Sequence, residues 1–380
     1  MISPVSRWFE QQLPAPLTIA LKAVKQFPAA LQLRRRLDAA SAQPAPGGPA
    51  LHYGGVPGLA GAGFGGAAKL RLLAAAFPES YPRFNVLYLV SSALPPLALP
   101  LVRWAKARGV RFVYNQNGVG YRAWAGRQYA RVINHPMSQL VELADHVLYQ
   151  SAFCRQTADL FIGRAECPHE ILYNAVDTEF FSPPESRLPG PIRLLVAGSH
   201  HQSQRVLVPI RALARLCTLG MDARLHIAGR LLWPGADMEV RRTAGELGVL
   251  DRIEIEPAYG PERARAIYQG ADVLLHIKHN DPCPSVVIEA MACGVPIVGS
   301  GTGGLPELVP GSAGILVPAD GRFQREDWPR SSAVAAAVQE VCGSLEAYAA
   351  SARANAVARF DSKHWLARHR EVFLGLAARK

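Results

Sequence analysis

The stretch from Asp281 to Glu307 brings together residue types able to bind negative charge and hydroxyl groups at once. Asp281 is followed eight positions later by Glu289, and between them Ser285 opens an apolar run. With Asp281 and Pro282 just upstream, Ser285 predicts a helix start. Gly294 and Pro296 follow the helix, Ile297 and Val298 read as a short strand, and Gly299 leads into a Gly-Thr-Gly-Gly turn. This order leaves bare backbone N–H groups at the positive end of a helix, where an anion is stabilised. Two carboxylates beside that tip are acceptors and would take hydrogen bonds from hydroxyls. A ligand that is both phosphorylated and rich in hydroxyls is a nucleotide sugar. The plainer alternative is an ordinary βα crossover in which Gly294 and Gly304 only make turns.

The elements around this stretch predict an α/β chain. Apolar runs at 84–90, 110–115, 146–150 and 170–173 read as strands, with helices at 102–108 and 137–144 between them. A second set of strands is expected at 192–197, 224–228, 252–255, 273–277 and 296–298, separated by helices such as 207–219 and 238–247. Strands alternating with helices argue for parallel, doubly wound sheets. A Pro-rich segment from Ser182 to Pro191 reads as a hinge between the two sets. Two such halves are expected to face a central cleft, with the carboxyl ends of the strands toward it.

Composition narrows the class further. The chain has 380 residues and 49% hydrophobic content, enough for two cores. No apolar run reaches the length of a bilayer span, and nothing reads as a cleavable leader. Six cysteines, at 154, 167, 217, 283, 293 and 342, lack metal-ligand spacing and a disulfide framework, which predicts a reducing, cytoplasmic setting. The net charge of +11 favours an acidic partner, read either as a solvated basic surface or as a membrane-facing patch. No nucleic-acid motif accompanies it. Residues 1–50 stand apart: Trp8, Phe9, Leu13 and Leu17 are mixed with Lys22, Lys25 and Arg34–Arg36, ending in a Pro/Ala/Gly-rich linker. They fit a basic amphipathic element at a lipid surface, at the inner face of the membrane, or a loosely packed extension interrupted by Pro14, Pro16 and Pro28.

Asp281, Glu289, the run Ala290–Pro296 and the turn Gly303–Glu307 together resemble the donor-site signature of the retaining glycosyltransferases of family four, the glycosyl transferases group 1. Their pattern is Glu-x7-Glu, an Ala-Met-Ala-x-Gly-x-Pro run and Gly-Gly-x-Pro-Glu; here the first acid is Asp. The resemblance spans most of the chain and is strongest from Asn174 to Glu307. It implies the GT-B fold, two doubly wound Rossmann-like domains: an acceptor-side domain over 51–184, a nucleotide-sugar domain over 191–355, and a closing helix over 356–380 returning to the first domain. It implies transfer of a hexosyl-type sugar from a nucleotide-diphosphate donor to a hydroxyl of a glycan or lipid-linked acceptor, as in polysaccharide biosynthesis. No cofactor and no metal are expected, and the histidines show no zinc-like spacing.

The resemblance assigns roles to particular residues. Glu289 would accept from the ribose hydroxyls, and Asp281 would orient the donor sugar. The backbone at Pro284, Ser285 and Val286 would hold the diphosphate. Family members carry an Arg and a Lys after the first strand of the second domain; Ser199 occupies the Arg position, and Arg205 lies near the Lys, with Arg230 as a second candidate cation. Tyr259, in the loop Glu256–Gly260, borders the base, either stacked on it or packed inside. In the first domain, Gly65, Gly66 and Lys69 belong to the run Gly61–Lys69 that precedes a helix, and Asn115 and Asn117 follow a strand, so these residues would line the acceptor or phosphate side. Many relatives place a His in this region, where this chain has none; Asn117 could make a comparable hydrogen bond but not titrate. The turn Asn174–Asp177 is expected to be structural. An epimerase-like enzyme, a phosphorylase anchoring a pyridoxal cofactor on Lys278, and a non-catalytic nucleotide-sugar or glycan binder share the architecture; Lys278 alone is a thin basis for the phosphorylase.

Overall fold

The computed structural model describes residues 14–19, 48–55, 65–187 and 189–378. Most of the N-terminal 50 residues and Gly61–Phe64 of the glycine run lie outside the described residues. The chain divides into two units. The first holds the described residues up to Tyr173 with Arg322–Arg325 and Trp365 onward; the second holds Asn174–Gly321 and Glu326–His364.

The first unit contains a five-stranded parallel sheet, β1 (Leu51–His52), β2 (Val86–Val90), β3 (Arg111–Gln116), β4 (His146–Tyr149) and β5 (His169–Ile171), ordered as in the chain. Its helices are α1 (Gly66–Ala76), α2 (Ala98–Lys106), α3 (Arg122–Ala125), α4 (Arg127–Leu143) and α5 (Ala152–Phe161). Strands buried on both faces by helices need continuous apolar runs, and Val-Leu-Tyr-Leu-Val in β2 is buried throughout. Its core includes Phe84, Leu87, Leu101, Val102, Phe112 and Val147.

The second unit contains a six-stranded parallel sheet with the order β11-β10-β9-β6-β7-β8. These strands are β6 (Ile192–Ala197), β7 (Ala223–Ala228), β8 (Ile253–Glu256), β9 (Val273–His276), β10 (Ile297–Ser300) and β11 (Gly314–Val317). The helices are α6 (Gln204–Thr218), α7 (Ala236–Glu246), α8 (Pro261–Gln269), α9 (Ser285–Ala292), α10 (Leu305–Leu308), α11 (Ser331–Gly343) and α12 (Leu345–Phe360). The chain winds outward from β6 through β7 to β8, then returns to β9 on the other side of β6 and winds through β10 to β11. The direction reverses between β6 and β9, so the loops leaving those two strands diverge and open a crevice at the carboxyl end of the sheet. Each predicted strand is present within a few residues. The edge strands β1 and β11 were not expected; β1 is two residues long, too short to show a pattern.

The boundary between the units falls at Tyr173, earlier than the sequence suggests. Asn174 and its successors are bonded into the second unit: Asn174 Nδ2 donates to Cys283 O at 2.6 Å, and Arg353 donates to Thr178 O and Phe181 O at 2.9 and 2.8 Å. The turn expected to be structural is therefore a fastening of the second unit. The last helix, α13 (Ser362–Ala377), starts where Asp361 Oδ1 accepts from Lys363 N at 2.7 Å. From Trp365 onward it belongs to the first unit, where Phe373 meets Phe77 and Tyr88 edge-on at 5.4 and 5.8 Å between ring centres.

Candidate functional site

The switch point of the second sheet collects the residues singled out from the sequence. Helix α9 begins at Ser285 with Pro284 as its N-cap and no side chain capping it. The Pro284 carbonyl accepts from Val287 N at 3.2 Å and from Ile288 N at 3.4 Å, so the amides of Ser285 and Val286 are the first-turn donors left without an intrahelical partner. Pro284 itself carries no N–H, which corrects its inclusion among the backbone donors: it shapes the tip and Ser285 and Val286 supply the hydrogens. Asn174 braces this tip through Cys283 O and, at 3.4 Å, Ser285 Oγ. The glycine loop presses on it from the other side: Gly304 N donates to Asp281 O at 2.8 Å, and Asn280 N to Thr302 Oγ1 at 3.1 Å.

Asp281 is 7% exposed, and two bases converge on its Oδ2, Lys278 Nζ at 2.7 Å and His276 Nε2 at 3.0 Å. Burial would raise its pKa, but the Lys278 ammonium and the His276 bond reverse this and hold the carboxyl far below the usual range. Glu289 is pushed the other way. Burial raises its pKa, and the bond it accepts from Tyr268 OH at 2.7 Å offsets this only in part. Two acids on one loop-helix unit are thus tuned apart, one locked as an anion and one easier to protonate.

Arg205, at the start of α6, is also 7% exposed. Its Nη1 donates to the Ser199 carbonyl, closing the turn after β6, and its charge lies close enough to Asp281 and Lys278 to act on both. Arg205, expected from its place near the family Lys as a cation for the phosphates, is buried here and supports the turn. Arg230 is exposed, with Nη2 3.5 Å from Ser199 Oγ, and borders a shallow groove with Gly229, Ile255, Pro257 and Ala258. Tyr259, half-buried, has its phenol beside Tyr268 and Glu289; burial first and then the Glu289 charge push its pKa up to about 12. Of its two expected positions, the structure places the hydroxyl in this internal cluster.

The first unit also joins residues from separate segments. Lys69 on α1 donates to Asn115 Oδ1 at 3.0 Å, Asn117 Oδ1 at 2.9 Å and Gln150 Oε1 at 2.9 Å, at the carboxyl ends of β3 and β4. Gly65 has φ of +62°, and a Cβ on Gly66 would lie 2.6 Å from Ser92 Oγ, so both glycines are required for α1 to start here. Asn117 N donates to Ser91 Oγ at 2.8 Å.

Sequence reasoning missed Tyr268, His276 and Gln150, and treated Lys278 only as a cofactor anchor. Lys278 stands three positions before Asp281, a spacing open to inspection; nothing local ties Tyr268 to Glu289 across 21 residues. Among the described residues one group has metal-ligand spacing, His226 with Glu254 and Glu256 on β7 and β8, and there Arg263 grips Glu256 at 2.7 and 2.8 Å. No described helix is long and apolar enough to cross a membrane.

Residues 191–341 match the family model described as glycosyl transferases group 1. Similar curated proteins include the D-inositol 3-phosphate glycosyltransferase of Segniliparus rotundus, 34% identical over 121 residues, which are 31% of this chain and 27% of that one. The enzyme of the same name from Corynebacterium jeikeium is 29% identical over 208 residues, 50% of this chain and 48% of its own. The match thus spans half or less of these relatives. Among solved structures, Anabaena HepE in complex with UDP superposes with a TM-score of 0.63 at 19% identity, covering 80% of each chain. The sucrose-phosphate synthase of Thermosynechococcus elongatus superposes with a TM-score of 0.63 at 18% identity, covering 82% of this chain and 77% of that one. At such identities the structures show the fold, two Rossmann-like domains of the GT-B type. Residues 191–341 thus resemble the glycosyl transferases group 1, within a chain that has the GT-B fold.

Proposed function

We propose that this protein transfers a sugar from a nucleotide-diphosphate donor to a hydroxyl of a glycan or lipid-linked acceptor, with retention at the anomeric carbon. The observation that carries this reading is the uncapped tip of α9 at the switch point, flanked by Asp281 and Glu289. The amides of Ser285 and Val286 receive the diphosphate, Glu289 accepts from the ribose, and Asp281 Oδ1, the oxygen other than the one that Lys278 and His276 contact, accepts from the sugar. The groove beside Arg230 and Pro257 takes the base. HepE has been solved with UDP-glucose, which supports a nucleotide sugar as the donor class.

In this reaction the bond from the anomeric carbon to the phosphate oxygen breaks and a bond to the acceptor oxygen forms on the same face. The acceptor proton passes to the departing phosphate, so no protein nucleophile is required. Charge builds on the leaving group, and donors already fixed in place stabilise it without reorganising. The nucleotide sugar is a co-substrate, and the reaction as drawn uses no metal. The first unit, with Lys69, Asn115 and Asn117, serves the acceptor.

Incubation with a panel of nucleotide sugars and a cell extract as acceptor tests this. Release of nucleoside diphosphate with sugar incorporation is expected, and the anomeric coupling constant of the product reports retention. Isomerised donor would indicate an epimerase-like enzyme. Saturable donor binding without turnover would indicate a binding protein, the reading favoured by Ser199 at the position where the family has Arg.

A further inference from the structure

Lys278 and Arg205 are the two basic side chains whose charges act on Asp281. His276 adds none at neutral pH, because burial outweighs its bond to Asp281 and keeps its pKa below the ordinary value. Burial lowers the Lys278 pKa, and the Asp281 charge opposes that shift and favours the ammonium. The cations differ in availability. Arg205 is 7% exposed and engaged with the Ser199 carbonyl. The Lys278 side chain keeps 25% of its surface open. Asp281 directs one of its three N–H donors, and an ammonium has two more to offer.

Lys278 is also held in place. Its backbone N donates to Ser300 Oγ on β10 at 3.2 Å, and the same loop is clamped at Asn280 and Asp281 by Thr302 and Gly304. A Cβ on Gly303 would lie 2.6 Å from Asp281 O, so the glycine loop is in direct contact with the segment carrying the ammonium. The turn after β6 lies close to the tip as well: a Cβ on Gly198 would be 3.6 Å from Val286 Cγ1. Lys278 thus shares one short loop with the free amides of α9.

We infer that Lys278, oriented by Asp281, is the cation that meets the donor diphosphate, replacing the basic residue absent at Ser199. The inference rests on the donor-binding reading above. Asp281 is then a positioning residue toward the phosphate, through Oδ2, while Oδ1 serves the sugar. An ammonium fixed before the bond breaks favours the developing charge more than a mobile one, which would have to be ordered during the reaction.

Titration of the full chain with UDP, GDP, ADP, CDP and dTDP identifies the base that binds, and the matching nucleoside, followed by ligand-observed NMR, is the phosphate-free control. Lys278→Gln should weaken the diphosphate by roughly 10- to 100-fold, the range of a charge-assisted hydrogen bond, and leave the nucleoside unchanged. Lys278→Arg should retain most of the affinity. Equal diphosphate affinity in the wild type and a folded Lys278→Gln overturns the inference and leaves the donor reading standing. Parallel loss of nucleoside and diphosphate in Lys278→Gln assigns Lys278 to loop architecture and also overturns it. If the wild type binds none of the five diphosphates, both readings fall.

Discussion

Asp281 and Glu289 are both acids on one loop and helix, yet their surroundings drive them apart. Lys278 and His276 hold Asp281 ionised, whereas Glu289 has a phenol for a partner and its pKa rises with burial. In the proposed reading Glu289 is the acceptor for the ribose hydroxyls, and its removal takes that acceptor away. Glu289→Ala is therefore expected to weaken donor binding about 100-fold or more with the fold intact, from two charged hydrogen bonds lost; unchanged affinity by titration would remove Glu289 from the site. Asp281→Asn keeps the shape and an amide oxygen that can still accept from Lys278. It should retain nucleoside diphosphate binding and lose transfer by about 100-fold or more, since the oriented donor set acts on the transition state. Wild-type turnover in that variant would defeat the assignment. The two acids and their spacing were readable directly. Their opposite tuning was not, because it depends on Tyr268 and on the degree of burial.

Loops carry the precision at the scale of elements. The glycine turn after β10 touches the loop after β9 so closely that Gly303, at φ of +70°, would place a Cβ 2.6 Å from Asp281 O. Gly303→Ala combines that collision with a left-handed conformation, and should cost about 2 kcal/mol or more and weaken diphosphate binding with it. Gly311→Ala has open space around it and should change stability by less than about 0.5 kcal/mol. Thermal melts of the two variants separate a packing requirement from a general effect of adding a methyl group. The helix start at Ser285 and the strand at Ile297 follow from Pro, Gly and β-branched residues in sequence. The pressing of one loop on the other follows from β9 and β10 lying side by side, which no local pattern states.

Each unit encloses a buried histidine with a strongly depressed pKa, His369 in the first and His200 in the second. Burial depresses both to about 3 from 6.5; His369 also has Tyr88 OH at 3.0 Å on Nε2. Between these values the unfolded chain binds protons that the folded chain refuses. Stability from these groups is thus complete above pH 6.5 and falls as pH drops toward 3, by about 1.4 kcal/mol per pH unit for each histidine. Denaturant unfolding measured at several pH values should show that slope, and His369→Gln should remove one proton from it; a flat profile would mean that water reaches both rings. The sequence alone determined the alternation of strands and helices, the acid pair and the glycine turns, because these depend on periodicity and backbone chemistry over a few residues. Only the tertiary structure decided that β6 and β9 are neighbours at the point where the winding reverses, that Arg205 turns inward, and that Lys278 is left at the open side of Asp281. Such facts depend on which distant segments pack together, and on how much water the packing leaves at each charge.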